Sequence, residues 1–223
     1  MSTLIKRGLI VSCQAEGESP FNHPEMLYAF AKAAQMGGAV AVRLEGINNI
    51  KYIAGKISIP VIGIIKGEYD NGEVLITPGL SEAMEIAKNG AQIIGLDSTK
   101  RVRPSGDSSY QLIKEVKNRL DAEIFADVST FSEGILAEKA GADYVGTTLS
   151  GYTEYSTTNS DSPDFELISA LAKTLKIPLF CKGRIKSPED VRTAKDLGAY
   201  GVVVGTTITR PIDVVKRFVE PFK

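Results

Sequence analysis

The chain has very little histidine, cysteine and tryptophan. His23 is its single histidine, Cys13 and Cys181 are its two cysteines, and tryptophan is absent from all 223 residues. A multi-histidine metal site therefore lacks its material, a histidine-based triad has only His23 to draw on, and acid–base work is expected to fall to Lys, Asp or Glu. His23 lies in Phe21-Asn22-His23-Pro24, which reads as a loop before a helix. The cysteines show no metal-ligand spacing and read as two buried thiols in a reducing cytosol. No apolar run approaches the ~20 residues of a membrane-spanning helix. The stretch 1–7 is short and mixed, and 8–13 is too brief for the apolar part of a signal peptide. A cytoplasmic protein with no membrane partner is expected. Charge of neither sign dominates: 26 Lys and Arg against 27 Asp and Glu give a net charge of −1. Bulk electrostatics therefore point to no nucleic acid.

What the sequence does contain is rhythm. Short runs rich in Val and Ile fall at 8–13, 40–42, 61–65, 93–96, 123–126, 144–146, 179–181 and 201–204. Brief apolar runs of this kind are how strands buried on both faces look. Segments of helical period lie between them, at 24–35, 81–88, 131–139, 165–175 and 188–197. Gly-Ala precedes the second, fourth, sixth and eighth runs, where a glycine suits the left-handed residue that ends a helix. Ile-Pro precedes the third and seventh, since proline at a strand's first residue costs no ladder hydrogen bond. Eight alternating units with this internal echo predict one α/β domain over residues 1–223, a single (β/α)8 TIM barrel. After the third run, residues 67–78 carry Tyr69-Asp70-Asn71-Gly72, a tight-turn signal that predicts a small hairpin over the barrel mouth.

In such barrels the active site lies at the C-terminal ends of the strands. The residues there are Ser12 and Gln14, Arg43, Lys66, Asp97, Asp127, Thr147 and Thr148, Lys182 and Gly205. Solubility alone does not place polar groups at nearly every strand end. Plainer roles stay open for some of them: a strand-end aspartate often caps the following helix, as Asp97 or Asp127 would. Lys66 follows Val61-Ile62-Gly63-Ile64-Ile65, so desolvation is expected to depress its pKa and make it a base. Lys182-Gly183-Arg184 and Gly205-Thr206-Thr207 follow the seventh and eighth runs, the loops that form the recurrent phosphate cradle of this fold. Arg184 and Arg210 add charge there.

These residues carry a resemblance. The segments Leu9-Ile10-Val11-Ser12-Cys13-Gln14-Ala15, Gly37-Gly38-Ala39 through Arg43, Ile62-Gly63-Ile64-Ile65-Lys66 and Ala126-Asp127-Val128-Ser129-Thr130 resemble the N-acetylmannosamine-6-phosphate 2-epimerases of bacterial sialic-acid breakdown. So do Gly146-Thr147-Thr148-Leu149-Ser150-Gly151-Tyr152-Thr153 and Ile208-Thr209-Arg210-Pro211. The resemblance implies conversion of N-acetylmannosamine 6-phosphate to N-acetylglucosamine 6-phosphate through the C2 proton, α to the aldehyde of the opened sugar. It implies no redox cofactor and no metal. It makes Lys66 a catalytic acid–base group, and it gives Gln14, Arg43, Asp127 and Thr148 to the sugar. It matches Gly183, Gly205 and Arg210 to the loops that bind the phosphate of the phosphorylated amino sugar, and the residue reading adds Arg184 and Thr206 to the same loops.

One position departs from the pattern. The resemblance expects a catalytic Glu after the seventh strand, and Lys182 stands there. Lys182 is open to three readings: a working base facing Lys66, an inactivating substitution, or an engineered change. Two smaller departures are Thr206, where a second glycine is common, and Leu44-Glu45 after Arg43. The competing functions are a catalytically impaired sugar-phosphate-binding barrel and a sugar-phosphate isomerase or lyase with a Schiff base on Lys66. Oligomeric state is not written in the sequence; a homodimer is the commonest default.

Overall fold

Eight parallel strands pair in sequence order, and β8 pairs back onto β1 to close the barrel. The computed structural model of the chain describes residues 3–15, 17–156 and 160–223. The order is β1 (Gly8–Cys13), α1 (Pro24–Met36), β2 (Ala41–Glu45), α2 (Ile47–Ile53), β3 (Val61–Ile64), α3 (Leu80–Lys88), β4 (Ile93–Asp97), α4 (Ser109–Arg119) and β5 (Glu123–Asp127). It continues with α5 (Phe131–Ala140), β6 (Tyr144–Gly146), α6 (Phe165–Ala172), β7 (Leu179–Lys182), α7 (Pro188–Asp196), β8 (Gly201–Val204), the short α8 (Thr206–Thr209) and α9 (Pro211–Val219).

The Gly-Ala punctuation has the geometry its position predicts. Gly38, Gly90, Gly141 and Gly198 have φ of 89°, 101°, 105° and 98°. The following alanine N–H then reaches back into the helix, as Ala142 does to the Ala137 carbonyl and Ala199 to that of Ala194, both at 3.0 Å. A buried alanine thus turns each chain from helix into strand. At the other ends, Ser108 with Gln111, Thr130 with Glu133 and Ser187 with Asp190 form capping boxes on α4, α5 and α7.

The core has two layers. Between barrel and helices lie side chains such as Val42, Ile94, Ile124, Val145 and Val202. Inside the barrel, alternate residues of the same strands stack: Ile10, Ala41, Ile62, Ile93, Phe125, Tyr144, Phe180 and Val203. Ile5 plugs the lower end, its N–H donating to the Tyr144 hydroxyl at 2.9 Å. This filled floor leaves the upper end as the place for a site.

The strands run further than the apolar runs do. The expected second, fourth, fifth and seventh runs stop at 42, 96, 126 and 181, whereas the strands include Arg43, Asp97, Asp127 and Lys182. These polar residues are ladder members, and their backbones share the rigidity of the sheet. The 67–78 segment is hairpin-like: Lys66 bridges Ile76 and Tyr69 bridges Gly72, both antiparallel, with Asn71 at φ 70°. It leans on the loop after β4, where a side chain at Gly72 would meet Pro104 at 2.7 Å.

Candidate active site

A cavity of about 500 Å³ opens at the C-terminal mouth. Gln14, Arg43, Lys66, Thr148, Lys182, Gly183, Arg184, Gly205, Thr206 and Arg210 all line it. Asp127 lies directly behind, bonded to two of them.

At the base of the cavity is a fully buried ion pair. Arg43 Nη2 is 2.7 Å from Asp127 Oδ2, Nη1 is 3.2 Å from Oδ1, and neither side chain is exposed. Arg43 stands two residues above Ala41 and Asp127 two above Phe125, so strand alternation sends both inward. The room comes from β4: a Cβ on Gly95 would lie 3.0 Å from Arg43 Nη1. The Phe125 ring lies beneath the guanidinium, 5.8 Å from its carbon. The Thr148 hydroxyl donates to Asp127 as well. Asp127 is therefore no helix cap, because Thr130 caps α5. Asp97 does not line the cavity; it pairs with Arg101 at 2.5 Å and accepts from the Thr99 N–H at 3.0 Å.

The two lysines differ from the sequence expectation. Lys66 is exposed, because β3 ends at Ile64 and the chain leaves the barrel to begin the hairpin. The expected desolvation of Lys66 is thus corrected. The lysine whose surroundings act against its charge is Lys182, half-buried at the end of β7. Burial pushes its ammonium well below the usual lysine range, Arg43 pushes it further down, and Lys66 and Arg210 add to the push. Asp127 opposes them. The Lys182 backbone is clamped by Thr147, whose Oγ1 donates to its carbonyl and accepts from its N–H, each at 3.2 Å.

The loops after β7 and β8 form the opposite rim. Gly183 (φ 102°) and Arg184 (φ 58°) both have left-handed φ, which turns the chain sharply after β7. Gly205 packs so closely that a Cβ would lie 3.3 Å from that of Ser12. Thr207 Oγ1 donates to the Ile185 carbonyl at 3.0 Å, tying the two loops together. The Arg184 Nε donates to the Ser162 carbonyl at 2.7 Å and Nη1 to that of Ser150 at 3.0 Å, so this side chain fixes the loop after β6. Gln14 Nε2 donates to Ser12 Oγ at 2.8 Å, which orients the amide in a buried position.

Sequence reasoning missed several lining residues. Lys186 lies two residues past Arg184 in the same loop. Arg217 comes from α9, beyond the eight repeating units, and Tyr152, Leu75, Ile76 and Leu149 come from long loops; no spacing signals them. Among the described residues, seven Lys and Arg side chains line the cavity against one acid, Asp161, which pairs with Lys186. In a chain of net charge −1 this is a concentrated positive field aimed at an anion. Among the described residues no group of three or more His, Cys, Asp or Glu is placed to hold a metal ion.

Known proteins share this architecture and sequence. A family model described as "Putative N-acetylmannosamine-6-phosphate epimerase" matches residues 27–223. The chain is 48% identical over 225 residues to a protein of Clostridium perfringens named "Putative N-acetylmannosamine-6-phosphate 2-epimerase", with 100% of each chain covered. A protein of the same name from Caldanaerobacter subterraneus is 45% identical over 220 residues, covering 98% of this chain and 92% of that one. The solved structure of the N-acetylmannosamine-6-phosphate 2-epimerase from C. perfringens matches with a TM-score of 0.92 and 46% identity, over 98% of this chain and 94% of that chain. The chain belongs to the N-acetylmannosamine-6-phosphate epimerase family.

Proposed function

We propose that the chain interconverts N-acetylmannosamine 6-phosphate and N-acetylglucosamine 6-phosphate by taking the proton from one face of C2 and returning one to the other. Family membership supports this, and one geometric observation carries the assignment of residues. Lys66, just past β3, and Lys182, on β7, line one cavity from opposite sides of an eight-stranded barrel. Inversion needs proton carriers on both faces of one carbon, and this pair supplies them.

The phosphate binds at Gly183, Gly205 and Thr206 through backbone N–H groups, with Arg184 and Arg210 adding charge. Arg43, Gln14 and Thr148 hold the sugar oxygens, with Asp127 fixing the direction of Arg43 and Thr148. The open-chain sugar places its aldehyde at C1 beside C2. Lys182, whose surroundings favour the neutral amine, removes the C2 proton. The electron pair of the C–H bond moves into a C1–C2 double bond, and the aldehyde oxygen takes the negative charge. The cationic cavity stabilises that charge without reorganising. Lys66 delivers a proton to the opposite face, the double bond collapses back to the aldehyde, and C2 is inverted. The reverse reaction exchanges the roles. In this reading Lys182 does the work that a carboxylate does in the family pattern.

The working unit is a homodimer. The apolar face of α9 supports this: no residue of α9 is buried, and Ile212, Val215 and Phe218 are exposed by 41, 58 and 75%. A net charge near zero opposes no self-association, and twofold contacts are the commonest. The location is cytoplasmic, which two buried unpaired cysteines support. The test of the catalytic assignment is C2 proton exchange in heavy water. Lys66→Ala and Lys182→Met should each lower it by roughly 10²–10⁴-fold. A near wild-type rate in either variant removes that lysine from the reaction.

A further inference from the structure

The cavity that concentrates positive charge has one wall without any. Ile64, Ile76 and Leu149 pack together as a small cluster of their own, separate from the two main core layers. All three are buried, yet all three line the cavity, and Leu75 joins them there with 47% of its surface exposed. The wall is prebuilt. The Ile76 carbonyl accepts from the Asp97 N–H at 3.0 Å, and the Leu149 N–H donates to the Val128 carbonyl at 3.0 Å. Ile76 also bridges Lys66, so the wall stands beside one of the two proton carriers.

Its place relative to the phosphate loops is informative. Those loops follow β7 and β8, whereas Ile64 ends β3 and Leu149 follows β6. A hexose 6-phosphate anchored by its phosphate puts C6 at the β7–β8 rim and its C1–C2 end across the mouth. C2 then lies by Lys66, and the substituent on C2 meets the apolar wall. Sugar hydroxyls gain nothing from such a surface, but a methyl group does.

We propose that Ile64, Leu75, Ile76 and Leu149 form the acyl-recognition surface, receiving the methyl of the N-acetyl group on C2 and making the site selective for N-acylated over plain hexose phosphates. This rests on the epimerase reading. Leu75, half-exposed on the hairpin, is the adjustable member, and it sets how long an acyl chain is accepted. The packed trio fixes the floor on which the methyl rests.

The experiment measures the KM of N-acetylmannosamine 6-phosphate and the inhibition constant of mannose 6-phosphate, which has the same phosphate and C2 configuration but no acyl group. Leu75 is exposed enough for Leu75→Ala to fold. Leu75→Ala should raise the KM by roughly fourfold, the worth of about one buried methyl group, and leave mannose 6-phosphate inhibition unchanged. It should also improve the N-butanoyl substrate relative to the N-acetyl one, and Leu75→Phe should do the opposite. If both sugars weaken equally, or the acyl-length preference does not move in either variant, the wall is not an acyl site. If the unaltered protein leaves the C2 proton of N-acetylmannosamine 6-phosphate in place, the epimerase reading itself fails, and this inference falls with it.

Discussion

Replacing Asp127 by Leu would strand the Arg43 guanidinium in the middle of the barrel. The pair is bidentate and neither partner is exposed, so removing the carboxylate leaves both Nη groups without the partner that holds them. Arg43 Nε already has no hydrogen-bond partner among the described residues, and Thr148 would lose the acceptor for its hydroxyl. Breaking one side of a buried ion pair typically costs about 3–5 kcal/mol. At roughly 2–4 °C per kcal/mol for a chain of this size, Tm should fall by about 6–20 °C. The informative comparison is the double variant Arg43→Met with Asp127→Leu. It removes both charges and fills the space with apolar atoms, which is often neutral or stabilising relative to the pair. The double variant should therefore be more stable than Asp127→Leu alone, although both should lose activity. Urea denaturation in phosphate-free buffer, with no anion to partner Arg43, measures this ordering. The reasoning is refuted if Asp127→Leu lies within about 1 kcal/mol of the unaltered protein, or if the double variant is the less stable of the two.

Further expectations follow from the same geometry. Arg210→Ala should weaken phosphorylated sugar by roughly 1.5–3 kcal/mol in calorimetry, and the unphosphorylated sugar should not bind measurably; equal affinity for both would remove the phosphate assignment. Lys182 sheds its proton more easily in the fold than in the unfolded chain, so the unfolded state holds the extra proton. Stability should therefore rise with pH up to the unfolded lysine value near ~10.4, by at most about 1.4 kcal/mol per pH unit. Lys182→Met should accordingly melt higher than the unaltered protein, with an advantage that vanishes at alkaline pH; an advantage independent of pH would contradict this. Activity should climb with pH as Lys182 becomes neutral, and Lys182→Glu should raise activity at neutral pH and move the climb to lower pH. A fall at every pH would give the lysine a role a carboxylate cannot fill. Phe218→Glu should convert the proposed dimer to a monomer in sedimentation, and an unchanged mass would move the proposed interface off α9.

The barrel was legible because its punctuation is chemical. Gly-Ala turns the chain out of a helix, Ile-Pro opens a strand, and Val-Ile runs survive only where both faces are covered. The ends of the strands were less legible. Arg43, Asp127 and Lys182 interrupt the apolar runs, although the backbone ladder continues through them. Arg43 and Asp127 are 84 residues apart, and only barrel closure brings them together. The burial of Lys66 was misjudged for a related reason: an apolar run shows that a strand is buried but not where the chain leaves the sheet. Arg217, Leu75 and Leu149 reach the cavity from a terminal helix and two long loops, whose paths no local periodicity encodes. Gly95 was legible as part of a strand, but the space it leaves for Ile64 and Arg43 appears only in the packed barrel.

The most direct test of the account follows the C2 hydrogen of N-acetylmannosamine 6-phosphate by proton NMR in heavy water with the unaltered protein. The account predicts that N-acetylglucosamine 6-phosphate accumulates with deuterium at C2, because the proton delivered by Lys66 comes from solvent. Product that keeps its original hydrogen at C2, or a bound sugar phosphate that neither exchanges nor inverts, would contradict it.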